Sequence, residues 1–411
     1  MQHASVSGCE REVPIPTSSI SSQAEQAGQS GSRSRSLRGG TRLVLVVVGT
    51  RPECIKLAPV IESLAGHPDL SVVVANSGQH RDAVWKGLAT FGIRCDIDVA
   101  TGQGAPNLRF ACAHMTGQLR EVIGRLRPDM VVVQGDTLTA FAGARAGRAS
   151  GSQVAHVEAG LRTESVMDPF PEEWFRRRIA RLADLHFAPS RSAVMHLRRE
   201  GVDPEAIHFV GNTAIDTLRA LLEREPLPAS PAANRILVTL HRRENWDHNA
   251  DVVCAALLEL VARRPGLSVQ LPVHPNPRIA NRLRHRLGSH PSFALVAPMP
   301  YAEFIRAAAG AALVISDSGG VQEEAPHLGV PLLVPRVNTE RTESLETGFV
   351  RLVAIDHRQL VDGALAMLDA PRRAPLPFDT AAPYGAGDAG QKIAAVLART
   401  LRADAGALAE A

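Results

Sequence analysis

Three carboxylates in this sequence stand at places where they could carry out proton transfer. Asp136 and Glu158 each follow a short apolar segment, and Glu172 follows a turn that contains two prolines. Acids that converge from separate loops, without cysteines or metal-ligand spacing beside them, favour general acid–base chemistry over metal or thiol chemistry. The structural alternative for Asp136 is the N-cap of a helix.

A second group of residues is suited to binding a nucleotide. Ser318, Gly319 and Gly320 open a predicted helix, and the free N–H groups of such a terminus form an anion site for phosphate. Glu324 lies about one helical turn after Gly320, so its carboxylate could face a ribose diol. Arg341 follows the next apolar segment and could reach the same nucleotide.

Two weaker candidate sites complete the pattern, one at Arg51 and Lys56 and one at His241. Arg51 and Lys56 lie at a predicted helix that starts near Pro52, where a diphosphate could bind, although an ordinary capped helix explains them equally well. His241 follows an apolar segment and lies among polar neighbours, which favours a functional over a structural histidine.

These residues are positioned by short apolar segments that alternate with helix-like stretches. The segments are continuous rather than alternating in polarity, as expected for parallel strands covered on both faces. The first series comprises residues 43–48, 71–76, 130–134, 152–156, 185–188 and 207–210. The second comprises residues 236–239, 268–271, 293–296, 312–316 and 332–334.

Two such series predict an α/β protein with two Rossmann-like, doubly wound parallel-sheet domains that face a central cleft. The ligand would bind beyond the carboxyl ends of the strands. The expected organisation is a disordered tail (1–41), an N-terminal domain with the acid/base carboxylates (42–221), a proline-rich linker (222–234), a C-terminal Rossmann-like domain that binds the nucleotide (235–385) and a C-terminal helix that packs back across the domains (386–411).

Composition narrows the functional classes. The net charge is only +3, with 45 basic and 42 acidic residues, which gives no reason to expect nucleic acid or a membrane as partner. The five cysteines form no CxxC pair, so a disulfide framework or a zinc site is not expected, and a reducing cytoplasm fits best.

The order of the motifs resembles that of the non-hydrolysing bacterial UDP-N-acetylglucosamine 2-epimerases. The resemblance spans about Thr41 to Leu401 and rests on GTRPECIKLAPV, SGQHRD, QGDT, HVEAGLRT, PFPEE, ADLHFAPS, GNTAID, TLHRREN, PVHPNP, DSGGVQEEAPHLGVP and TERTE. It implies a fold like that of the GT-B glycosyltransferases. It also implies anti elimination of UDP to give 2-acetamidoglucal and re-addition of UDP to the opposite face, with no cofactor and no metal.

The resemblance also implies roles for individual residues. Asp136, Glu158 and Glu172 would be the acid/base carboxylates near carbon 2, and His241 would lie near the departing UDP. The residues expected to bind the nucleotide sugar are Arg51, Lys56, Arg176, Phe304, Ser318, Gly319, Gly320, Glu324 and Arg341. Those that resemble the lining of a second UDP-N-acetylglucosamine site, for an allosteric activator, are Gln79, His80, Arg81, Arg242, Glu244 and His274. A homodimer is the expected assembly.

The sequence departs from the family pattern at Gln134, where the family usually has His, and at Phe175, Met299 and Thr342. A hydrolysing epimerase that releases N-acetylmannosamine, or a 2-epimerase of a modified UDP-amino sugar, is the alternative. A GT-B glycosyltransferase is less favoured because three carboxylates exceed what sugar transfer needs. A non-catalytic nucleotide-sugar sensor is less favoured because a pure binder gains nothing from acids buried beside a diphosphate.

Overall fold

The computed structural model describes residues 41–99, 107–225, 227, 234–242 and 246–410. Within these residues, seven parallel strands form a first sheet in the order β3-β2-β1-β4-β5-β6-β7. They are β1 (Arg42–Val48), β2 (Leu70–Asn76), β3 (Ile97–Asp98), β4 (Met130–Gln134), β5 (Gln153–Val157), β6 (Leu185–Ala188) and β7 (Ile207–Phe209).

A second parallel sheet has six strands in the order β10-β9-β8-β11-β12-β13. They are β8 (Arg235–Thr239), β9 (Ser268–Pro272), β10 (Phe293–Val296), β11 (Leu313–Ser316), β12 (Leu332–Pro335) and β13 (Val350–Val353). In each sheet the strand order reverses beside the first strand of its series. The carboxyl ends beside that point are where such folds bind ligands.

Helices cover the sheets. Those of the first series are α1 (Arg51–Gly66), α2 (Arg81–Ala89), α3 (Leu108–Leu126), α4 (Leu138–Ala149), α5 (Glu172–Ala180), α6 (Arg191–Arg199) and α7 (Thr213–Arg224). The later ones are α8 (His248–Arg263), α9 (Pro277–Leu287), α10 (Tyr301–Ala309), α11 (Gly319–Leu328), α12 (Thr342–Glu346), α13 (His357–Asp369) and α14 (Ala389–Glu410).

The central strands are buried on both faces, which explains their continuous apolar sequence. In β1, Val44, Val46 and Val48 pack into one core cluster while Leu45 and Val47 pack into another on the opposite face of the sheet. The structure therefore confirms the predicted pair of doubly wound α/β domains.

The sequence pattern misses two strands and one helix end. β3 has only two residues and β13 reads VRLV, so neither carries the continuous apolar run used to find the others. Helix α7 extends to Arg224, three residues into the segment predicted as a linker, because proline enters only at Pro226. The domain boundaries themselves stay predictions.

The C-terminal helix α14 packs on the first domain. Its residues Ile393 and Leu397 are fully buried in the same core cluster as β1 and α1. Gly390 lies so close to α1 that a Cβ there would come within 2.6 Å of the Pro59 carbonyl oxygen. Just before the helix, Tyr384 donates or accepts a hydrogen bond of 3.0 Å with Ser344 near the second sheet.

Two further statements concern membrane-spanning helices and the N-terminal tail. No helix among the described residues is both long and apolar enough to cross a membrane. The predicted disordered tail, apart from Thr41, lies outside the residues that the structure describes.

Candidate active site between the two sheets

Asp136 and Glu158 lie at the carboxyl ends of the adjacent strands β4 and β5. The N-cap of α4 is Thr137, whose side chain accepts a hydrogen bond from the Ala140 N–H. Asp136 is therefore not the cap that the structural alternative required, and its carboxylate is available for other partners.

Glu158 is the most constrained of the three candidate acids. Its φ of 62° lies in the left-handed region, which costs a non-glycine residue on the order of 1 kcal/mol or more. Its carboxylate accepts hydrogen bonds from Lys56 at 2.6 and 2.7 Å, from Arg341 at 2.8 Å, and from Gln134. Strain that surrounding contacts maintain is a feature of functional sites.

Asp136 and Glu172 form a pair whose pKa values are shifted in opposite directions. Burial opposes ionisation of Asp136, but the charges of Arg176, Arg341 and Lys56 together outweigh it, so the pKa of Asp136 is lowered. Burial raises the pKa of Glu172, and the nearby negative charge of Asp136 adds to this rise. Two interacting carboxyl groups whose surroundings shift their pKa values apart are an arrangement suited to acid–base catalysis.

Glu340 joins the two domains through a buried ion cluster. Its carboxylate contacts Arg336 at 2.8 Å, Arg242 at 3.1 Å and Arg176, which comes from the first domain, at 3.3 Å. It also pairs with Arg341. These four guanidinium groups hold the pKa of the buried carboxyl well below its ordinary value despite burial. Glu340 therefore concentrates cationic groups at the closed cleft.

The predicted anion site at Ser318–Gly320 opens helix α11 and faces the same cluster. These three residues are partly exposed, and Ser318 is the N-cap, without a side-chain capping bond. Arg341 packs over Gly319, donates to Glu323 at 2.9 Å and reaches Glu158 across the cleft. The acids of the first domain and the helix terminus of the second therefore meet through one guanidinium group.

Arg341 leaves no room for a side chain at Gly319. An alanine Cβ there would come within 2.5 Å of Arg341 Cζ, whereas a Cβ at Gly320 would meet no heavy atom within 4 Å. We expect Gly319→Ala to lower the free energy of unfolding by about 1–3 kcal/mol through overpacking. Denaturant unfolding without ligand measures this. The matched control, Gly320→Ala, should be neutral or slightly stabilising; equal losses in both variants would contradict the assigned packing.

Glu324 is a buried carboxyl on α11 that accepts a hydrogen bond of 2.8 Å from the Tyr301 hydroxyl. Burial raises the pKa of Glu324 to about 8, only partly offset by this hydrogen bond. The carboxyl is therefore largely protonated at neutral pH in the unliganded protein. It lies within electrostatic reach of Lys56, which places it toward the cleft.

The raised pKa of Glu324 predicts a pH-dependent stability. In the unfolded chain the carboxyl titrates near 4.5, so its contribution is complete below that pH and is lost as pH rises through about 8. Between pH 5 and 9 we expect the wild-type free energy of unfolding to fall, relative to Glu324→Gln, by on the order of several kcal/mol.

Denaturant unfolding at a series of pH values tests this. Other titrating groups are common to both proteins and cancel in the difference. The control Glu303→Gln replaces an exposed carboxyl on the neighbouring helix α10 and should leave the wild-type pH profile in place. Parallel wild-type and Glu324→Gln profiles would show that Glu324 ionises normally.

The helix terminus near Pro52 is partly capped by a side chain of the helix itself. Glu53 folds back and accepts hydrogen bonds of 2.7 Å from both the Gly49 and the Thr50 N–H groups. Its other oxygen accepts a hydrogen bond of 2.6 Å from Thr137, the cap of α4. The Glu53 side chain thus occupies the Gly49 and Thr50 N–H groups that precede the helix. Arg51 instead donates to the Met299 carbonyl in the second domain.

His241 is exposed at the end of β8, and its loop is held by Asp317. The fully buried Asp317 carboxylate accepts hydrogen bonds from the His241 N–H at 2.8 Å and from the Arg242 N–H at 3.0 Å. The ring of His274 lies 6.0 Å from that of His241. Asp317 thus positions this loop, a role that the sequence did not suggest.

Three further activator candidates, Gln79, His80 and Arg81, lie on the first domain. Gln79 accepts hydrogen bonds from the Thr139 N–H and hydroxyl, His80 is the N-cap residue of α2, and Arg81 pairs with Asp98 at 2.7 Å. Glu244 lies outside the described residues.

The structure also places the residues at which the chain departs from the family pattern. Phe175 is buried in the first-domain core against Phe141 and Trp174, so it does not line the cleft. Met299 is buried, and only its carbonyl takes part in the contact with Arg51. The partly buried Phe304 packs against the core beside α11.

Several residues that build the site were given no role from sequence. They are Glu53, Tyr301, Asp317, Glu323, Arg336 and Glu340, and each is buried or forms a hydrogen bond in the site. For four of them a signal was available, because Glu53, Asp317, Glu323 and Glu340 are polar residues inside the quoted motifs. Tyr301 and Arg336 lie outside those motifs.

Comparison with known proteins gives consistent findings. The sequence model of the family described as UDP-N-acetylglucosamine 2-epimerase matches residues 62–398. The UDP-N-acetylglucosamine 2-epimerase of Salmonella typhimurium is 36% identical over 363 residues, covering 85% of this chain and 96% of that protein.

Solved structures agree. The UDP-GlcNAc 2-epimerase of Neisseria meningitidis, bound to UDP-GlcNAc, has a TM-score of 0.80 at 33% identity and is similar over 87% of this chain and 100% of that one. The Methanocaldococcus jannaschii enzyme in complex with UDP-GlcNAc and UDP has a TM-score of 0.73 at 30% identity, over 87% and 99% of the two chains. These likenesses extend over both sheets.

Proposed function

Because the chain belongs to the UDP-N-acetylglucosamine 2-epimerase family, we propose that it interconverts UDP-N-acetylglucosamine and UDP-N-acetylmannosamine without hydrolysis. The observation that carries this proposal is the contact of Glu158 with Arg341, which packs on the Ser318–Gly320 turn. Arg341 also acts electrostatically on Asp136, whose negative charge in turn acts on Glu172. Acids for proton transfer and cations for a diphosphate then lie within one cleft.

The second domain binds the UDP part. The diphosphate takes the N–H groups of Ser318, Gly319 and Gly320 at the start of α11, where the helix dipole favours an anion. When the diphosphate binds, the Arg341 guanidinium group can donate to it instead of to Glu158. The Glu158 carboxylate is then free to act on the sugar. Glu324 accepts from the ribose hydroxyls once the nucleotide is bound.

The chemistry follows from the weak acidity of the proton at carbon 2. The bond between carbon 1 and the UDP oxygen breaks first, and cationic groups stabilise the leaving diphosphate while carboxylates stabilise the oxocarbenium-like sugar. His241, exposed at the cleft, lies near the departing UDP. A carboxylate then takes the proton from carbon 2, which forms the carbon 1–carbon 2 double bond of 2-acetamidoglucal.

Delivery of a proton from a second carboxyl group to the other face of carbon 2 completes the inversion, and UDP adds back to carbon 1. Glu172, whose pKa is raised, is suited to donate a proton. Asp136, whose pKa is lowered, and Glu158, which is paired with cations, are suited to accept one. Closure of the domains over the intermediate keeps water out and so separates epimerisation from hydrolysis.

Regulation and assembly also belong to this proposal. Residues Gln79, His80, Arg81, Arg242, Glu244 and His274 form the candidate site for a second UDP-N-acetylglucosamine as activator. The expected assembly is a homodimer.

Incubation with UDP-N-acetylglucosamine in heavy water, followed by NMR, tests the reaction. We expect deuterium at carbon 2 and a mixture of gluco and manno epimers of the UDP sugar. Retained protium in the epimerised product would overturn the mechanism. Free N-acetylmannosamine without UDP-N-acetylmannosamine would replace it with a hydrolysing epimerase.

A further inference from the structure

A cavity of about 470 Å³ lies at the edge of the second sheet opposite the cleft. Ala312, Pro331 and Gly348, which line it, precede the strands β11, β12 and β13. The Ser318–Gly320 turn follows the other end of β11. Because this strand has four residues, the cavity and the turn are separated by roughly 13 Å of extended chain. The cavity is therefore a separate feature from the proposed active site.

Three arginines line this cavity: Arg351, Arg372 and Arg373. Contacts with the backbone fix two of them in place. Arg372 donates to the Ala311 carbonyl. The guanidinium group of Arg373 packs over Gly348, where a Cβ would come within 2.7 Å of its Nη1 atom. Arg372 is thus bonded to the main chain and Arg373 lies against it, while the side chains of all three arginines remain exposed to solvent.

The positive charge at the cavity is uncompensated. Among the described residues, no carboxylate lines the cavity, and none of the three arginines forms an ion pair. The neighbouring Asp369 is paired with Arg264. Burial lowers the pKa of Arg372, with no nearby carboxylate to offset it. The buried arginines around Glu340, by contrast, each contact a carboxylate. A concave surface with three unpaired cations attracts anions.

The rest of the wall is apolar and includes Met367, Leu368 and Pro371. The cavity volume is in the range of small-molecule sites. A carboxylate would balance one arginine, whereas a phosphate monoester carries about two negative charges and can accept hydrogen bonds from several guanidinium groups. We propose that this cavity binds an organic phosphate whose framework is apolar or aromatic.

Calorimetric titration with 1-naphthyl phosphate tests this site. Saturating UDP is present throughout, so that the proposed active site does not contribute. Inorganic phosphate and 1-naphthol serve as separate probes for the charge and the ring. We expect 1-naphthyl phosphate to bind more tightly than either probe alone, with one site per chain.

Variants assign the binding to the cavity. We expect Arg372→Ala combined with Arg373→Ala to weaken binding about tenfold or more, since charge-assisted hydrogen bonds are lost. Arg351→Ala tests the third arginine independently, and because all three arginines are exposed, none of these changes disturbs the core. The control Arg358→Ala removes the same charge from α13 at a side chain that is 90% exposed and should bind normally.

Three results would overturn the proposal. The first is that the double variant, Arg351→Ala and the control all bind 1-naphthyl phosphate equally well. The second is that 1-naphthyl phosphate binds no more tightly than inorganic phosphate. The third is that the wild-type protein does not bind 1-naphthyl phosphate at all. Thermal unfolding of each variant shows whether its fold is intact. Since UDP is bound elsewhere, failure here would leave the proposed epimerase reaction untouched.

Discussion

Replacing Glu158 by glutamine should lower the epimerase rate by about 10³-fold or more while UDP binding changes less than about threefold. Glutamine keeps the size of the side chain and one oxygen for Lys56 and Arg341, but it cannot exchange a proton. General acid–base groups contribute on the order of 10²–10⁴ in rate, and Glu158 is also held in a strained conformation that the protein maintains. Steady-state rates and calorimetric UDP titration give the two numbers.

The control for this prediction is Glu164→Gln, which makes the same change at an exposed residue of the loop after β5. It should retain the wild-type rate. If Glu158→Gln lost UDP affinity in proportion to its rate, Glu158 would be a binding or positioning residue instead. Deuterium exchange at carbon 2, measured in the same variant, separates loss of proton transfer from loss of a later step.

Much of the fold and part of the site could be predicted because they depend on local sequence. Continuous apolar runs such as Leu43–Val48 specify buried parallel strands whatever surrounds them. The carboxyl ends of adjacent strands must lie together, so the sequence pattern alone suffices to place Asp136 and Glu158 near one another. The glycines that open α11 likewise indicate a helix terminus from the sequence alone.

What could not be predicted depends on contacts between distant parts of the chain. Whether the terminus near Pro52 is open depends on the rotamer of Glu53 and on Thr137, 84 residues later. Whether Phe175 faces the cleft depends on its packing against Phe141. Arg341 reaches Glu158 only because the two domains close on each other, and no local pattern encodes that closure.

Glu340 shows how strongly such a contact can matter. Replacing Glu340 by glutamine should lower the free energy of unfolding by about 3–5 kcal/mol, which is typical when one member of a buried ion pair is removed. Most of this loss in stability comes from Arg336, which would be left buried without its partner. Arg336 is 4% exposed, and its guanidinium group pairs with the Glu340 carboxylate at 2.8 Å. Burial already lowers the pKa of Arg336, and Glu340 is the largest influence opposing that shift.

Denaturant unfolding measures the loss, and the control is Glu346→Gln, the same change at an exposed position of helix α12. The loss in the free energy of unfolding arises because the Arg336 cation is left unpaired. Replacing Arg336 as well should therefore restore part of that free energy. The double variant Glu340→Gln with Arg336→Gln is therefore expected to be more stable than Glu340→Gln alone, which gives a coupling energy of opposite sign to the single losses. If the two losses simply add, Glu340 does not act through Arg336, and the arginines at the cleft are held in place by their other partners.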